Sequence, residues 1–142
     1  MLRSVELKDY IFDEPVKMKA EDDVFEAIHK ILIYKVSGIC VVDDHNVLIG
    51  VLSELDCLKA ILSSVYNEAP QTAGKIKEYM TSSVFTVGLH DNIVDVAANM
   101  LEHKHRRRPV IDEEGKLVGQ VTCRQVLRAV KEFSGPVDPS EH

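Results

Sequence analysis

The fold of this 142-residue chain is decided by the stretch Gly50-Val51-Leu52-Ser53-Glu54-Leu55-Asp56, in which an apolar run ends and a helix is predicted to begin. Ser53 is a good N-cap, because its hydroxyl can accept from the backbone N–H groups that a first helical turn leaves without partners. Asp56, three residues on, takes the place that Glu or Gln holds in a capping box, and its carboxylate favours the positive end of the helix dipole. Taken alone, the stretch predicts a well-capped helix and nothing more.

The same pattern returns 69 residues later, at Gly119 to Gln125. At that shift the two halves of the chain align without a gap, with about ten identities over about 55 positions, against about 3 expected from average residue usage. Each half shows the periodicities of a short strand, an amphipathic helix, two strands joined by a polar turn, and a second helix. The internal repeat therefore predicts an α/β (α+β) fold built from two β-α-β-β-α units.

The first helix of each half carries one apolar face at helical spacing. Asp22 and Asp23 precede this helix in the first half and offer N-caps. The apolar positions of the two helices are Val24, Ala27, Ile28, Ile31 and Leu32, then Ile93, Val96, Ala97, Met100 and Leu101. The matching faces indicate that both halves bury the same side of this helix.

The composition limits the classes of partner. A chain of this length can bury roughly 68–70% of its unfolded surface, which is enough to fold without disulfides. The net charge of −6 argues against general affinity for nucleic acid or anionic membranes. No apolar run approaches the roughly 18 residues that a membrane-spanning helix needs, and the N-terminal residues are too polar for a signal peptide. We expect a cytoplasmic protein without membrane insertion.

The three cysteines and the rest of the sequence carry no sign of catalysis. Cys40, Cys57 and Cys123 are odd in number and far apart, so neither a disulfide framework nor a zinc site is expected, and Cys40 reads as a small buried hydrophobe. No Ser-His-Asp order, metal motif or phosphate-cradling glycine loop is present in the sequence. We therefore expect a protein that is not an enzyme, with no catalytic residue, no metal and no catalytic cofactor.

The repeat resembles the CBS-domain pair, also called a Bateman module, over about Leu7 to Val130. The residues that carry the resemblance are Ile39 to Asp43 with Gly50 to Asp56, then Arg108 to Asp112 with Gly119 to Gln125. The resemblance implies two half-domains related by a pseudo-two-fold axis, with the sheets facing inward, the helices outside, and two clefts between the halves. The predicted boundaries are residues 7–62 for the first CBS repeat, 63–75 for a linker, 76–133 for the second repeat and 134–142 for a mobile C-terminal tail.

In many such pairs the clefts bind adenosine-containing ligands, and the resemblance assigns the ribose of such a ligand to Ser53 and Asp56. A carboxylate has two acceptor oxygens, which suits the two hydroxyl donors of a ribose diol. Base contacts would come from backbone and from small or apolar side chains. The residues assigned to the base are Val16, Val36, Ser37 and Gly38.

The phosphate of this ligand is assigned to a basic run, His103 to Arg108, which precedes a predicted strand at Pro109–Asp112. Such a run is otherwise typical of a solvated edge or a nucleic-acid patch. The resemblance instead implies that Arg106 and Arg107, with His105 beside them, bind phosphate together with the acid of the first repeat. Arginine suits this role, because its planar fork donates two parallel hydrogen bonds and keeps its charge.

The second cleft departs from the pattern. Thr122 keeps the capping hydroxyl, but Gln125 stands where the first repeat has Asp56. An amide has one acceptor oxygen and no charge, and charge-assisted hydrogen bonds are roughly twice as strong as neutral ones. The positions that correspond to the two arginines are Ser37 and Gly38. We expect one good nucleotide site per chain and a weak or empty second site; the alternative is that neither cleft binds a ligand.

These features favour a stand-alone regulatory module that senses an adenine nucleotide (AMP, ADP or ATP) and relays its occupancy to an effector protein or to its own assembly. The helices also carry apolar residues on a second face, away from the predicted core, and this favours a two-fold homodimer. These residues are Phe25, Ile61 and Leu62. The alternative from another class is a structural or adaptor domain that binds a protein partner without ligand control. A nucleic-acid module built on Arg106 to Arg108 would run against the acidic balance.

Overall fold

The computed structural model describes Glu6, residues 14–66 and residues 74–134, with side chains as far as Arg128. Most of the predicted linker 63–75, and all but the first residue of the predicted tail 134–142, lie outside the described residues.

The elements follow the predicted order β-α-β-β-α twice, with a short 3₁₀ helix at Ile76–Glu78 between the two sets. The first set is β1 Lys17–Met18, α1 Val24–Tyr34, β2 Gly38–Val42, β3 Leu48–Ser53 and α2 Glu54–Tyr66. The second set is β4 Val87–Gly88, α3 Ile93–His103, β5 Arg107–Ile111, β6 Leu117–Thr122 and α4 Cys123–Ser134. Two three-stranded sheets and four helices confirm the predicted mixed α and β fold.

The chain divides into two units by its internal contacts, and the first unit comprises Pro15–Phe85 and Glu114–Leu117. Its sheet has the order β1-β2-β3, with β1 parallel and β3 antiparallel to β2. The core side chains come from the alternating strand positions and from one face of each helix. Those buried below a tenth of their surface are Met18, Val24, Ala27, Ile31, Ile39, Val41, Leu52, Cys57, Ala60 and Ile76.

The ends of α1 follow from local chemistry. Asp23 is the N-cap, and its carboxylate accepts a hydrogen bond from Phe25 N at 2.7 Å, which confirms the predicted cap. Asp22 accepts instead from Lys19 N at 2.9 Å, in the turn before the helix. Lys35 ends the helix in the left-handed conformation, at φ 55°, and its backbone N–H donates to Ile31 O. The chain therefore turns sharply into β2 without a glycine.

The second unit comprises the described parts of Met1–Glu14, Thr86–Glu113 and Val118–His142. Its sheet has the order β4-β5-β6, with β4 parallel to β5. Helix α3 begins at the N-cap Asn92, whose side chain accepts from Val94 N, and it ends at Lys104 with φ 58°. The buried core is Val87, Ile93, Val96, Met100, Val110 and Val121. Both ends of α3 thus repeat the ends of α1 at the 69-residue shift.

The first residues of the second sequence repeat pack in the first unit. Ile76 is fully buried in the core of that unit, and Ile76 N donates to Asp22 O at 2.9 Å. Thr81 exchanges two backbone hydrogen bonds with Val51 of β3, at 2.9 and 3.0 Å. Gly50 allows this close approach, because a Cβ atom there would lie 2.9 Å from Thr81 O and 2.8 Å from Met80 Sδ. Met80 and Thr81 therefore lie against the outer edge of β3.

An exposed ion pair cluster reinforces this packing. Glu21 accepts from Lys75 Nζ at 2.5 Å and from Lys77 Nζ at 2.7 Å. These two hydrogen bonds, with the charges of the same lysines, lower the pKa of Glu21 to about 2. Because all three groups are exposed, we expect the cluster to fix the position of the 3₁₀ helix more than to add stability.

Candidate functional site

The turn between β3 and α2 is built as a reciprocal capping box, as predicted. Asp56 N donates to Ser53 Oγ at 3.1 Å, and Ser53 N donates to Asp56 Oδ2 at 2.9 Å. Both residues are half-buried. One carboxylate oxygen therefore holds the turn, while Asp56 Oδ1 accepts no hydrogen bond from the described residues. A carboxylate fixed through one oxygen presents the other in a defined direction, which is suited to accepting from a ligand hydroxyl.

The predicted base-contacting residues lie at the same sheet edge as this turn. Since β1 and β2 are parallel and β3 is antiparallel, the starts of β1 and β2 meet the end of β3. Gly38 pairs with Ser53, and Glu54 N donates to Ser37 O at 3.0 Å. Gly38 is required by this approach, because a Cβ atom there would lie 2.9 Å from Leu52 O.

Val16 and Val36 complete the set at this edge. Val16 O accepts from Cys40 N at 2.8 Å, so Val16 lies beside the start of β2. Val36 is half-buried and packs against the core of the first unit. The structure therefore brings all six residues assigned to the ribose and the base into one edge of the first unit.

The second unit has the same turn with an amide in place of the acid. Gln125 N donates to Thr122 Oγ1, and Thr122 N donates to Gln125 Oε1, both at 3.2 Å. Gln125 is buried, with 6% of its surface exposed, whereas Asp56 is half-buried. The single acceptor oxygen of the amide is thus used by the cap. What Gln125 can still offer a ligand is an N–H donor, not an acceptor.

The two predicted phosphate-binding arginines lie beside this second turn. Arg106 is exposed and Arg107 is half-buried at the start of β5, and Cys123 N donates to Arg106 O at 2.9 Å. Neither guanidinium group makes a hydrogen bond or an ion pair with another described side chain. Two arginines that make no ion pair with the described residues indicate a site that favours an anion.

Arg108 differs from its neighbours, and the prediction that the strand begins at Pro109 is wrong. Strand β5 begins at Arg107, which places Arg108 inside the sheet with only 3% of its surface exposed. Arg108 Nε donates to His105 Nδ1 at 3.3 Å, and Nη2 donates to Asn99 O at 3.3 Å. The basic run is therefore not a uniform solvated edge: one of its three arginines is a buried residue that ties β5 to the end of α3.

His105 is a weaker cation than its place in the run suggests. Its pKa is lowered from 6.5, first by burial and then by the charges of Arg108 and His103. Burial also lowers the pKa of Arg108. At neutral pH His105 is therefore an uncharged imidazole that accepts from Arg108, and any contact that it makes with a phosphate is that of a neutral ring.

The predicted residues thus form two groups. Ser53, Asp56 and the base-contacting residues lie in the first unit, whereas His105, Arg106 and Arg107 lie in the second with Thr122 and Gln125. Among the described residues, Asp56 makes no ion pair within its own unit, and neither do Arg106 and Arg107 within theirs. The joint action of Asp56 with Arg106 and Arg107 on one ligand stays a prediction.

A comparison with known families explains the repeated turn. The CBS domain family model matches residues 7–63 and again residues 76–132. The chain belongs to the CBS domain family. Its two copies form a CBS pair, and the Gly-x-x-[Ser/Thr] turn of each copy is the capping box described above.

Several CBS proteins are similar over most of this chain. The uncharacterized protein MJ1225 of Methanocaldococcus jannaschii is 30% identical over 123 residues, which cover 86% of this chain and 41% of MJ1225. The chloroplastic CBS domain-containing protein CBSX2 of Arabidopsis thaliana is 31% identical over 148 residues, which cover 87% of this chain and 61% of CBSX2. The chain thus spans less than two thirds of either relative.

Two solved structures share both fold and sequence with the chain. CBSX2 in complex with AMP superimposes with a TM-score of 0.79 at 30% identity, covering 91% of this chain and 98% of the solved one. The cytosolic domain of the Mg²⁺ channel MgtE in complex with ATP gives a TM-score of 0.74 at 27% identity, covering 89% of this chain and 49% of the solved one. Both relatives bind an adenine nucleotide.

The described part of the chain contains neither a membrane-spanning helix nor a cluster of metal ligands. No helix there combines the length and the apolar character needed to cross a membrane. Among the same residues, no group of three or more His, Cys, Asp or Glu side chains could hold a metal ion. Cys40 and Cys57 are buried, as predicted for Cys40, and burial raises the pKa of the Cys57 thiol.

Proposed function

We propose that this CBS pair is a regulatory module that binds an adenine nucleotide, with Ser53 and Asp56 on the ribose and Arg106 and Arg107 on the phosphates. The observation that carries the proposal is the capping box, which fixes one oxygen of Asp56 and leaves Oδ1 as an acceptor. The AMP complex of CBSX2 and the ATP complex of MgtE support an adenine nucleotide as the ligand class.

The two turns are proposed to differ in affinity. In the first turn, Asp56 uses one carboxylate oxygen in the cap and keeps the other as an acceptor. In the second turn, Gln125 uses its only acceptor oxygen in the cap. A ribose diol needs acceptors more than donors from such a turn, because both of its hydroxyl groups donate readily. One strong site and one weak or empty site per chain follow from this difference.

The output of binding is proposed to be a change in a partner protein or in self-assembly, not a chemical reaction. Nucleotide binding can shift a conformational equilibrium only by the difference in its affinity for the two states. We propose a cytoplasmic location. A ligand-independent adaptor domain is the alternative from another class. Arg106 and Arg107, which make no ion pair within the described part of the chain, favour the nucleotide-binding function over it.

Calorimetric titration with AMP, ADP, ATP, NAD and S-adenosylmethionine tests the proposal. We expect micromolar or tighter binding of at least one adenine nucleotide, which corresponds to about −8 kcal/mol or more, at a stoichiometry near one per chain. The absence of heat with all five ligands, at protein concentrations well above 10 times the expected dissociation constant, would exclude the sensor function and leave the adaptor. Mass spectrometry of the purified protein would identify a ligand that is already bound.

A homodimer is proposed from the helix faces of the first unit. The exposed apolar residues of α1 and α2 include Phe25, Leu32, Leu58 and Leu62, and the last of these is 56% exposed. Several exposed apolar side chains on two neighbouring helices are typical of a protein interface. We expect light scattering to give twice the chain mass. Leu62→Arg should shift the protein toward monomer, whereas Val118→Arg, a similar change on the exposed part of β6, should not.

A further inference from the structure

The two repeats fill the same two positions, one half-buried and one buried, with opposite chemistry. At the 69-residue shift, His105 corresponds to Val36 and Arg108 to Ile39. Val36 and Ile39 pack in an apolar core, whereas His105 and Arg108 hydrogen-bond to each other. Burying a guanidinium group is costly, and replacing buried ionic groups by apolar ones is often neutral or stabilising. The apolar pair of the first repeat shows that this fold does not need the polar pair for packing, so another role is indicated.

The polar pair holds the segment that carries Arg106 and Arg107. Arg108 extends from β5 to His105 and, through Nη2, to Asn99 O near the end of α3. A cation at this place is favourable, because the last carbonyls of a helix form the negative end of its dipole. The His105 backbone is fixed as well, since its N–H donates to Met100 O at 2.9 Å and its carbonyl accepts from Cys123 Sγ at 3.3 Å.

The contact between the two side chains requires a neutral imidazole. Arginine has five N–H donors and no acceptor, so His105 Nδ1 must be the acceptor and the ring proton must be on Nε2. A second proton on His105 would place N–H opposite N–H and add a positive charge beside a buried one. The charges of Arg108 on β5 and of His103 at the end of α3, with ring centroids 5.5 Å apart, both oppose that second charge. Lys104 and Arg106 add positive charge on the same segment. From α4, Cys123 contacts the His105 carbonyl through Sγ.

We infer that the His105–Arg108 pair is a proton-sensitive positioning element, which holds the segment of Arg106 and Arg107 in place while His105 is neutral and releases it when His105 is protonated. The consequence for nucleotide affinity rests on the proposed function, whereas the release itself does not. His105 and Arg108 are therefore positioning residues, and Arg106 and Arg107 are the groups that meet the phosphate.

The sign of the pH dependence follows from linkage. The pKa of His105 is lower in the folded chain than in the unfolded chain, so between the two values the unfolded state binds more protons. The stabilising contribution of the pair is thus complete above the unfolded pKa of about 6.5 and is lost as the pH falls through the folded pKa. Nucleotide binding should weaken over the same range.

NMR titration between pH 8 and 5 tests the release without any ligand. We expect the His105 ring to titrate below its ordinary pKa, and the backbone amide signals of Arg106 and Arg107 to shift with the same midpoint. The corresponding amides of the first repeat, Ser37 and Gly38, serve as an internal control and should not follow it. A ring that titrates at or above 6.5, or arginine amides that ignore its midpoint, would overturn the inference.

His105→Gln separates positioning from titration, because the amide keeps an acceptor for Arg108 and cannot be protonated in this range. We expect this variant to keep its fold and to lose the pH-dependent shifts of Arg106 and Arg107. In Arg108→Ile, which carries the first-repeat residue, the His105 pKa should rise toward its ordinary value. An unchanged pKa in Arg108→Ile, or shifts that persist in His105→Gln, would refute the pairing.

Affinity for ATP measured at pH 7.5 and 5.5 tests the consequence. The phosphate of the ligand also titrates in this range, but that effect is common to both proteins and cancels in their ratio. Between the two pH values, wild type should lose several-fold more affinity than His105→Gln, because only the imidazole gains a proton as the pH falls through its lowered pKa. Equal losses would show that the pair does not act on binding. If no nucleotide binds at either pH, the proposed function fails, and the ligand-free titration still decides the inference.

Discussion

Asp56→Gln is expected to lower the affinity for an adenine nucleotide by about 10- to 100-fold, which corresponds to the roughly 1.5–3 kcal/mol of a hydrogen bond to a charged group. The physical reason is the number of acceptor oxygens. In wild type one carboxylate oxygen caps α2 and the other can accept from the ribose, whereas a glutamine would use its only oxygen in the cap. Calorimetric titration of both proteins with the same nucleotide measures the difference.

This substitution is informative because the second repeat already has a capping box that is made with a glutamine. Gln125 makes the same reciprocal cap with Thr122 that Asp56 makes with Ser53. We therefore expect the free energy of unfolding of Asp56→Gln to stay within about 1 kcal/mol of wild type, whereas Asp56→Ala would lose the cap as well as the ligand contact. The comparison of the two variants separates binding from folding.

Asp95→Gln is the matched control for this experiment. Asp95 is an exposed acid in the first turn of α3, three residues after the N-cap Asn92, so the change removes the same charge at the same place in a helix. Its nucleotide affinity should equal that of wild type. If Asp56→Gln also binds like wild type, the assignment of the ribose to Asp56 is wrong even though a nucleotide is bound.

Much of the fold could be predicted from the sequence because local chemistry determines it. The capping boxes, the N-cap at Asp23 and the apolar face of α1 each depend on residues within one or two turns of each other. The repeat adds an independent copy of each pattern, so a feature that is ambiguous once becomes specific when it recurs in register. This is why the order of the elements was predicted correctly from one sequence.

The burial of Arg108 does not follow from the charge pattern of its segment, but it does follow from the alignment of the two repeats. A run of basic residues is usually solvated, and that expectation placed the strand two residues too late. The signal that could have found it is the alignment of Arg108 with Ile39, a buried position of β2. The buried guanidinium group donates to His105 Nδ1 and Asn99 O, which offsets its loss of hydration. These acceptors cannot be deduced from residue spacing alone.

The packing of residues 74–85 in the first unit could not be predicted either. The sequence repeat assigns these residues to the second half, whereas Ile76 is buried in the core of the first. Gly50 is a weak sequence signal of this contact, since a glycine within a strand often marks the close approach of another backbone. Which backbone approaches is a long-range property that local patterns do not contain.

The double variant Arg106→Gln/Arg107→Gln is expected to lower the affinity for AMP about 100-fold or more while leaving the affinity for adenosine nearly unchanged. Two guanidinium–phosphate contacts of roughly 1.5–3 kcal/mol each support at least this loss. Glutamine keeps much of the aliphatic stem and a donor, so the change removes charge more than packing. Titration with AMP and with adenosine isolates the phosphate contribution as the ratio of the two affinities.

Arg124→Gln/Arg128→Gln is the control, because it removes the same two charges from exposed positions on α4. Long-range attraction would weaken equally in both double variants and would disappear at high salt, since charges beyond about 10 Å are largely screened at 0.1 M ionic strength. If the arginines contact the phosphate directly, only the Arg106 and Arg107 variant should lose AMP affinity. The control should then keep the wild-type ratio of AMP affinity to adenosine affinity at every salt concentration. Equal losses in the two variants would mean that Arg106 and Arg107 attract the phosphate without touching it. The two arginines would then belong to the electrostatic field of the second unit and not to the site.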